Sequence, residues 1–276
     1  MQAGVLKNEM DKPVSLKGIS HIHSTFSFDG KVEIAKVHEF FAGHGFDFVL
    51  MSEHVETLDL GRMQEIYDAC ARVSTSRCVL IPGIEIDDLH ILIFGITRPE
   101  RYDGIESFTQ DCHAGGSLIV LSHPVKIRKG IPPLVLPMLA GVEVWNTRYD
   151  GRQAPRPASH DLFRELRKNS PGLFAICGMD FHNYPDFSPI SLEVEAAGRE
   201  PHAILEAIRR GGARICSHGS VIPIYDDSPA LATWTLRVRS RIAAVLYDGA
   251  VGCYRALKRV GFRIPRPIRR AVKGIL

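Results

Sequence analysis

Nine side chains able to ligate hard or borderline metal ions are spread along this 276-residue chain: His21, His23, Asp29, His54, Glu85, His90, His123, Asp180 and His182. Most close an apolar, strand-like run or stand just beyond one. LKGISHIH carries His21 and His23, FDFVLMSEH carries His54, and VLIPGIE carries Glu85. LIVLSHP carries His123, and LFAICGMDFH carries Asp180 and His182. Imidazole nitrogen combined with carboxylate oxygen suits zinc, manganese or iron, and nine donors are too many for one tetrahedral ion. The chemistry implied is that of a multinuclear metal hydrolase.

Ligands at successive strand ends converge only if the strands lie side by side and run the same way, as at the C-terminal rim of an α/β barrel. The expected strands are 16–22, 47–52, 79–85, 89–95, 117–122, 142–146, 173–179 and 213–217. The expected helices are 31–43, 60–73, 105–114, 132–139, 159–168 and 202–210. VEIAKVHEFFAGHG and HAILEAIRRGG have apolar residues at helical spacing and a glycine exit. LIVL and FAIC are too continuous for one-sided strands and suit a parallel sheet covered on both faces. SPISLEVEA reads as an extra edge strand. The length is within the range of one α/β barrel with an appendage.

At 45% hydrophobic residues the chain can bury a large core. Its six cysteines are scattered without a C-x-x-C pair, which reads as reduced thiols in a cytoplasmic protein rather than a disulfide framework. The first residues have no apolar signal core, and no run is long enough to span a membrane. The net charge of +3 hides an asymmetry. Residues 230–276 hold 11 of the 34 Lys/Arg and one of the 31 Asp/Glu, net +10, which leaves the other 229 residues at −7. The expected organisation is therefore a catalytic domain over 1–229 and a basic, mainly helical extension over 230–276. In that extension Trp234, Val238, Ile242, Val245, Gly249, Cys253, Leu257 and Val260 follow roughly helical spacing, with most basic residues off the stripe. Three readings are open: a stripe packed on the acidic body, a nucleic-acid contact, or a helix on an anionic membrane surface.

The ordered set HIHSTFSFDG, MSEH, GIEI followed by HILIFG, LSHP, VEVWN and GMDFH resembles the polymerase-and-histidinol-phosphatase (PHP) domain over about residues 17–218. The resemblance implies an α/β fold, a distorted (β/α)7 barrel, and a metal-dependent phosphoesterase with two or three divalent ions (Mn, Zn or Fe). By motif, His21, His23, Glu85 and Asp180 would hold one metal. Glu85 would bridge to a second, held by His90 and His123, and Asp29, His54 and His182 would hold a third. Glu85, Asp180 and His182 are the residues expected to carry catalysis. Ile19 stands where the family usually has an acid or Asn, and Glu53 where it usually has Asp.

Such metals would lower the pKa of a bridging water towards about 7 and so provide a hydroxide for in-line attack on a phosphate ester. Lys126, Arg128 and Arg148 are candidate phosphate clamps, and Asn146 a candidate hydrogen-bonder to substrate or to a metal-bound water. Trp145 reads as a buried sheet aromatic, with base stacking as the alternative. Glu53 could orient His54 or be a solvated carboxylate. His38, His44, His113, His160 and His202 lie on or beside helical stretches and read as surface or structural, and His218 follows the last strand. The expected substrate is a small phosphorylated compound or nucleotide. The alternatives are a nuclease or nucleotide phosphatase acting on nucleic-acid ends, and a non-catalytic, metal-stabilised binding module.

Overall fold

Apolar runs without a polar face become strands covered on both sides. In the computed structural model of the protein, which describes residues 13–54, 60–96, 104–127, 130–218, 220–222, 224, 230–259 and 265, twelve strands form one mixed sheet. They are β1 (Val14–Ile22), β2 (Phe48–Met51), β3 (Glu53–His54), β4 (Val79–Ile81), β5 (Gly83–Ile86), β6 (Ile91–Phe94), β7 (Leu118–Leu121), β8 (Gly141–Asn146), β9 (Phe174–Phe181), β10 (Ile190–Ala196), β11 (Ala213–Ser217) and β12 (Ser220–Val221). Every residue of β2, β5, β6, β7, β8 and β9 is buried, as strands shielded on both faces require. Trp145 is fully buried and donates from Nε1 to the Gly151 carbonyl, so it is a sheet aromatic.

β1 runs parallel to β2 and β9, β2 to β4, β3 to β5, and β8 to β7 and β9. The expectation that all ligand-bearing strands run the same way fails at β6, which is antiparallel to both β5 and β7. The reason is local. A 3-10 turn, Asp87–Leu89, ends on His90 in the left-handed conformation at φ 52°. Four residues can reverse a chain but cannot make the crossover that a parallel pair needs. His90 therefore precedes its strand rather than following it. Because β6 is reversed, its start lies at the rim where β5 and β7 finish.

β10 pairs antiparallel with β1 on one side and β11 on the other, so it is not the edge strand expected from SPISLEVEA. The helices α1 (Ile34–Gly43), α2 (Leu60–Val73), α3 (Ile105–Ala114), α4 (Pro157–Asn169) and α5 (Pro201–Arg209) lie close to the expected spans. The helix expected over 132–139 is only a 3-10 turn, Leu136–Met138. Pro132, Pro133 and Pro137 remove amide donors and disfavour helical backbone before them.

The basic extension begins as α6 (Ala230–Arg259), 30 residues long and so about 45 Å. Its Leu236 and Ser240 are buried, and Arg156, just before α4, holds Asp248 at 3.0 Å and stacks on the Tyr247 ring. The expected apolar stripe is not what packs. Trp234, Val238, Ile242, Val245 and Leu257 are exposed, because the row through Leu236 and Ser240 on the opposite face meets the body instead. Val260 lies outside the described residues.

Gly249 and Gly252 interrupt α6, and a Cβ at either would meet nothing within 4 Å. Gly249→Ala and Gly252→Ala are each expected to stabilise the helix by about 0.5–1 kcal/mol. Helical circular dichroism followed through thermal unfolding measures this. A less helical alanine variant would contradict the open surroundings of these two positions.

Candidate metal centre

The rim is built on strained backbone. Among the described residues, five non-glycine residues have positive φ, and four of them are His21 (62°), His90 (52°), His123 (27°) and Asp180 (53°). The fifth, His218, is exposed just beyond β11 and belongs to none of the close donor groups. Left-handed backbone costs an L-residue about 1–2 kcal/mol, and such strain gathers at functional sites. Here it re-aims side chains. The pairings of β1 with β2 and with β9 both shift register across His21, and β9 carries Asp180 at the same level. Bulges of this kind turn strand residues into a site.

All nine candidate donors come together. Glu85 lies at the centre: its Oε2 is 3.1 Å from His21 Nε2, 3.4 Å from His23 Nε2 and 3.7 Å from His54 Nδ1, and its Oε1 is 2.7 Å from His123 Nε2. Donor atoms of His21, His123 and Asp180 lie within 4.8 Å of one another, as do those of His23, His54 and His182. The His23 ring stacks between His54 (4.5 Å) and His182 (4.2 Å). Asp29 closes the outer side, 2.9 Å from His182 Nε2 and 3.5 Å from His54 Nε2. The His90 ring is 5.7 Å from that of His123.

Three residues that the sequence reading left without a site role hold this cluster in place. Glu143 of β8 is fully buried, accepts from His21 Nδ1 at 2.8 Å, and takes the His123 backbone N–H at 2.7 Å and the Asn146 amide at 3.0 Å. Ser27 donates from Oγ to Glu53 and accepts from the His54 backbone N–H; the same Oγ lies 3.2 Å from His23 Nδ1. Asp87 reaches within 3.4 Å of His54 Nδ1. Glu143 lies in VEVWN and Asp87 two positions after Glu85, so their neighbourhood was legible although their roles were not. Glu53 is buried rather than solvated, and it ties the 24–27 loop through Ser24 and Ser27.

Charge in the cluster is strongly coupled. Burial disfavours the charged form of His21, but Glu143, Glu85 and Asp180 outweigh it and raise its pKa well above the usual value. Burial lowers His23 to about 4. Burial also opposes ionised Glu85, yet His21 and the hydrogen bonds from its neighbours hold it well below the carboxylate range.

A narrow cleft of about 150 Å³ opens onto the cluster, lined among others by Phe28, Lys126, Arg148 and Tyr149. Lys126 Nζ donates to Tyr149 Oη at 3.1 Å, and Arg148 Nη1 lies 3.3 Å from Asp180 Oδ1 and 2.6 Å from His182 Nδ1. Asn146 does not line the cleft. It is fully buried, its amide spans Glu143 and Asp180, and its Oδ1 accepts the backbone N–H groups of Arg148 and Tyr149. Asp150, pushed up to about 8 by burial, pins the same turn through the Asn146 N–H. Arg128 lies outside the described residues.

The donor set fits divalent ions. Every donor is imidazole or carboxylate, and the buried Nδ1 atoms of His90 and His123 have no hydrogen-bond partner among the described residues. A buried polar atom left so costs about 1–3 kcal/mol, which metal ligation would recover. With Glu143 holding His21 Nδ1, it is Nε2 that faces Glu85 and would be left to ligate an ion on loss of its proton, the usual way an outer carboxylate orients a ligand imidazole.

No family model and no curated protein matches the sequence. Solved structures do match the fold. A two-domain protein from Bacteroides vulgatus ATCC 8482, containing a predicted PHP-like metal-dependent phosphoesterase, aligns at a TM-score of 0.56 with 18% identity, over 76% of this chain and 66% of that one. PsfC from Pseudomonas syringae PB-5123 aligns at 0.49 with 14% identity, over 83% of this chain and 97% of that one. The chain thus spans just under two thirds of the Bacteroides structure, and the likeness is one of fold, a PHP-like mixed α/β sheet.

Proposed function

We propose that this protein is a metal-dependent phosphoesterase holding two or three divalent ions, Mn, Zn or Fe, at the rim of a distorted seven-stranded barrel. The observation that carries this reading is Glu85, a buried carboxylate within 3.7 Å of four imidazoles. A purely structural site would not need that many donors, since four complete a structural zinc. Strand pairing supports the barrel: the path from β1 through β2 and β4, across Pro82 into β5, then β6, β7, β8 and β9, returns to β1.

In this reading His21, His23, Glu85 and Asp180 hold one ion, Glu85 with His90 and His123 a second, and Asp29, His54 and His182 a third. Bound ions would neutralise phosphate oxygens and supply a water of lowered pKa at neutral pH. The protein's own groups do the rest. Lys126 and Arg148 set two positive charges on the cleft wall, where they would hold phosphate oxygens. Asn146 builds the turn that places Arg148 and Tyr149. Glu143 holds His21 and the backbone of His123 in register. A cleft of about 150 Å³ is smaller than a usual small-molecule pocket of roughly 300–1,000 Å³, so it takes the phosphoryl end of an ester and leaves the rest outside.

Metal analysis of the purified full chain, paired with hydrolysis of p-nitrophenyl phosphate and bis(p-nitrophenyl) phosphate, tests this. At least two equivalents of transition metal and chelator-sensitive release of nitrophenol are expected. Active protein with under one equivalent would overturn the multinuclear site. Metal-loaded protein inert towards both esters and towards nucleotides would overturn the activity.

A further inference from the structure

The outer face of α6 remains unexplained by the catalytic reading. At 3.6 residues per turn, Trp234, Val238, Ile242, Val245 and Leu246 fall on one arc of about 120°. All five are exposed, Trp234 at 61% and Val245 at 72%. A stripe of this kind is normally what a helix buries, yet the body takes the opposite face through Leu236 and Ser240. Exposed arginines border the apolar arc on both sides: Arg237, Arg241 and Arg259 on one edge and Arg239 on the other. Asp248, the one acid in residues 230–276, is paired with Arg156 and so offsets little of that charge.

An apolar arc bordered by arginines, on a helix whose back is docked, matches a bilayer interface. Acyl chains would accept the arc while lipid phosphates meet the guanidinium groups. A second protein copy would accept the arc but would have to bring the arginines of both copies together. Nucleic acid would accept the arginines but leave the apolar arc in water. No helix among the described residues is long and apolar enough to cross a membrane, so the contact would lie in the plane of the surface. We propose that α6 is an interfacial helix that seats this protein on an anionic phospholipid surface, with Trp234, Ile242, Val245 and Leu246 inserted and the flanking arginines on the lipid phosphates.

The chain has two tryptophans, and Trp145 is fully buried, so a fluorescence change on binding reports Trp234. Full-length protein is mixed with phosphatidylcholine vesicles containing about one third phosphatidylglycerol, and separately with pure phosphatidylcholine vesicles. The expected result is a blue shift and co-flotation with the anionic vesicles, at least about tenfold weaker partition onto neutral ones, and weakening as salt rises. Val245→Asp with Ile242→Asp should reduce partition at least about tenfold while hydrolysis is unchanged, since neither residue touches the metal centre. Arg239→Gln with Arg241→Gln should remove most of the preference for anionic lipid, and this pair decides the matter if the aspartate variant does not fold. Absence of flotation and of a blue shift at low salt overturns the proposal. So does binding of an RNA oligonucleotide, or a dimer broken by Val245→Asp, in a protein that ignores anionic vesicles.

Discussion

Glu85→Ala is expected to lower phosphoester hydrolysis at least about 1,000-fold while the protein stays folded. Glu85 touches His21, His23, His54 and His123 at once, so its removal takes a shared negative charge from every ion it would bridge. A 1,000-fold loss corresponds to about 4 kcal/mol of barrier, a size consistent with dismantling a site rather than trimming one contact. Asp180→Ala should have a similar effect, because Asp180 faces both His21 and Arg148. Glu85→Gln keeps the shape and removes the charge, so it separates electrostatics from packing. The readouts are steady-state hydrolysis, bound metal per chain and circular dichroism. Activity within about tenfold of wild type, a difference of only ~1.4 kcal/mol, would mean that Glu85 is not a shared ligand.

Gly178→Ala is the second large effect. Gly178 lies in β9, two residues before Asp180, and a Cβ there would collide with the Glu143 carboxylate and lie 2.6 Å from His21 Cβ. Neither neighbour has room to yield. Glu143 is held by His21, by the His123 backbone and by Asn146, and His21 is already on strained backbone. Overpacking of this kind costs about 1–3 kcal/mol of stability. Displacement of His21 should add a fall in metal content and a loss of activity of at least about 100-fold, since misplacement by 1 Å can cost that much. Unfolding midpoints and metal titration measure the two parts separately. A Gly178→Ala protein with normal stability and full metal content would show that Glu143 has no positioning role.

Much of this site was legible in the chain itself. Ligand chemistry is a property of residue type, so the nine donors and the metals they suit follow from identity alone. Strand ends were legible because two-sided burial demands the uninterrupted apolar runs LIVL and FAIC, and His123 and Asp180 stand two and three positions beyond them. What residue types and spacing do not encode is which distant groups meet. Glu143 acts on His21 from 122 positions away, and nothing local distinguishes its carboxylate from a solvated one. The antiparallel course of β6 depends on a left-handed residue at His90, a conformation that residue type does not announce. Asn146 looked free to meet a substrate, but burial commits its amide to Glu143 and Asp180. In α6, helical periodicity located an apolar stripe correctly, yet periodicity is blind to the partner. Only the packing of α6 on the body, with α4 among its neighbours and Leu236 and Ser240 buried, decided that the stripe would face outwards, because a helix has several faces and the geometry of its neighbours selects the one that is buried.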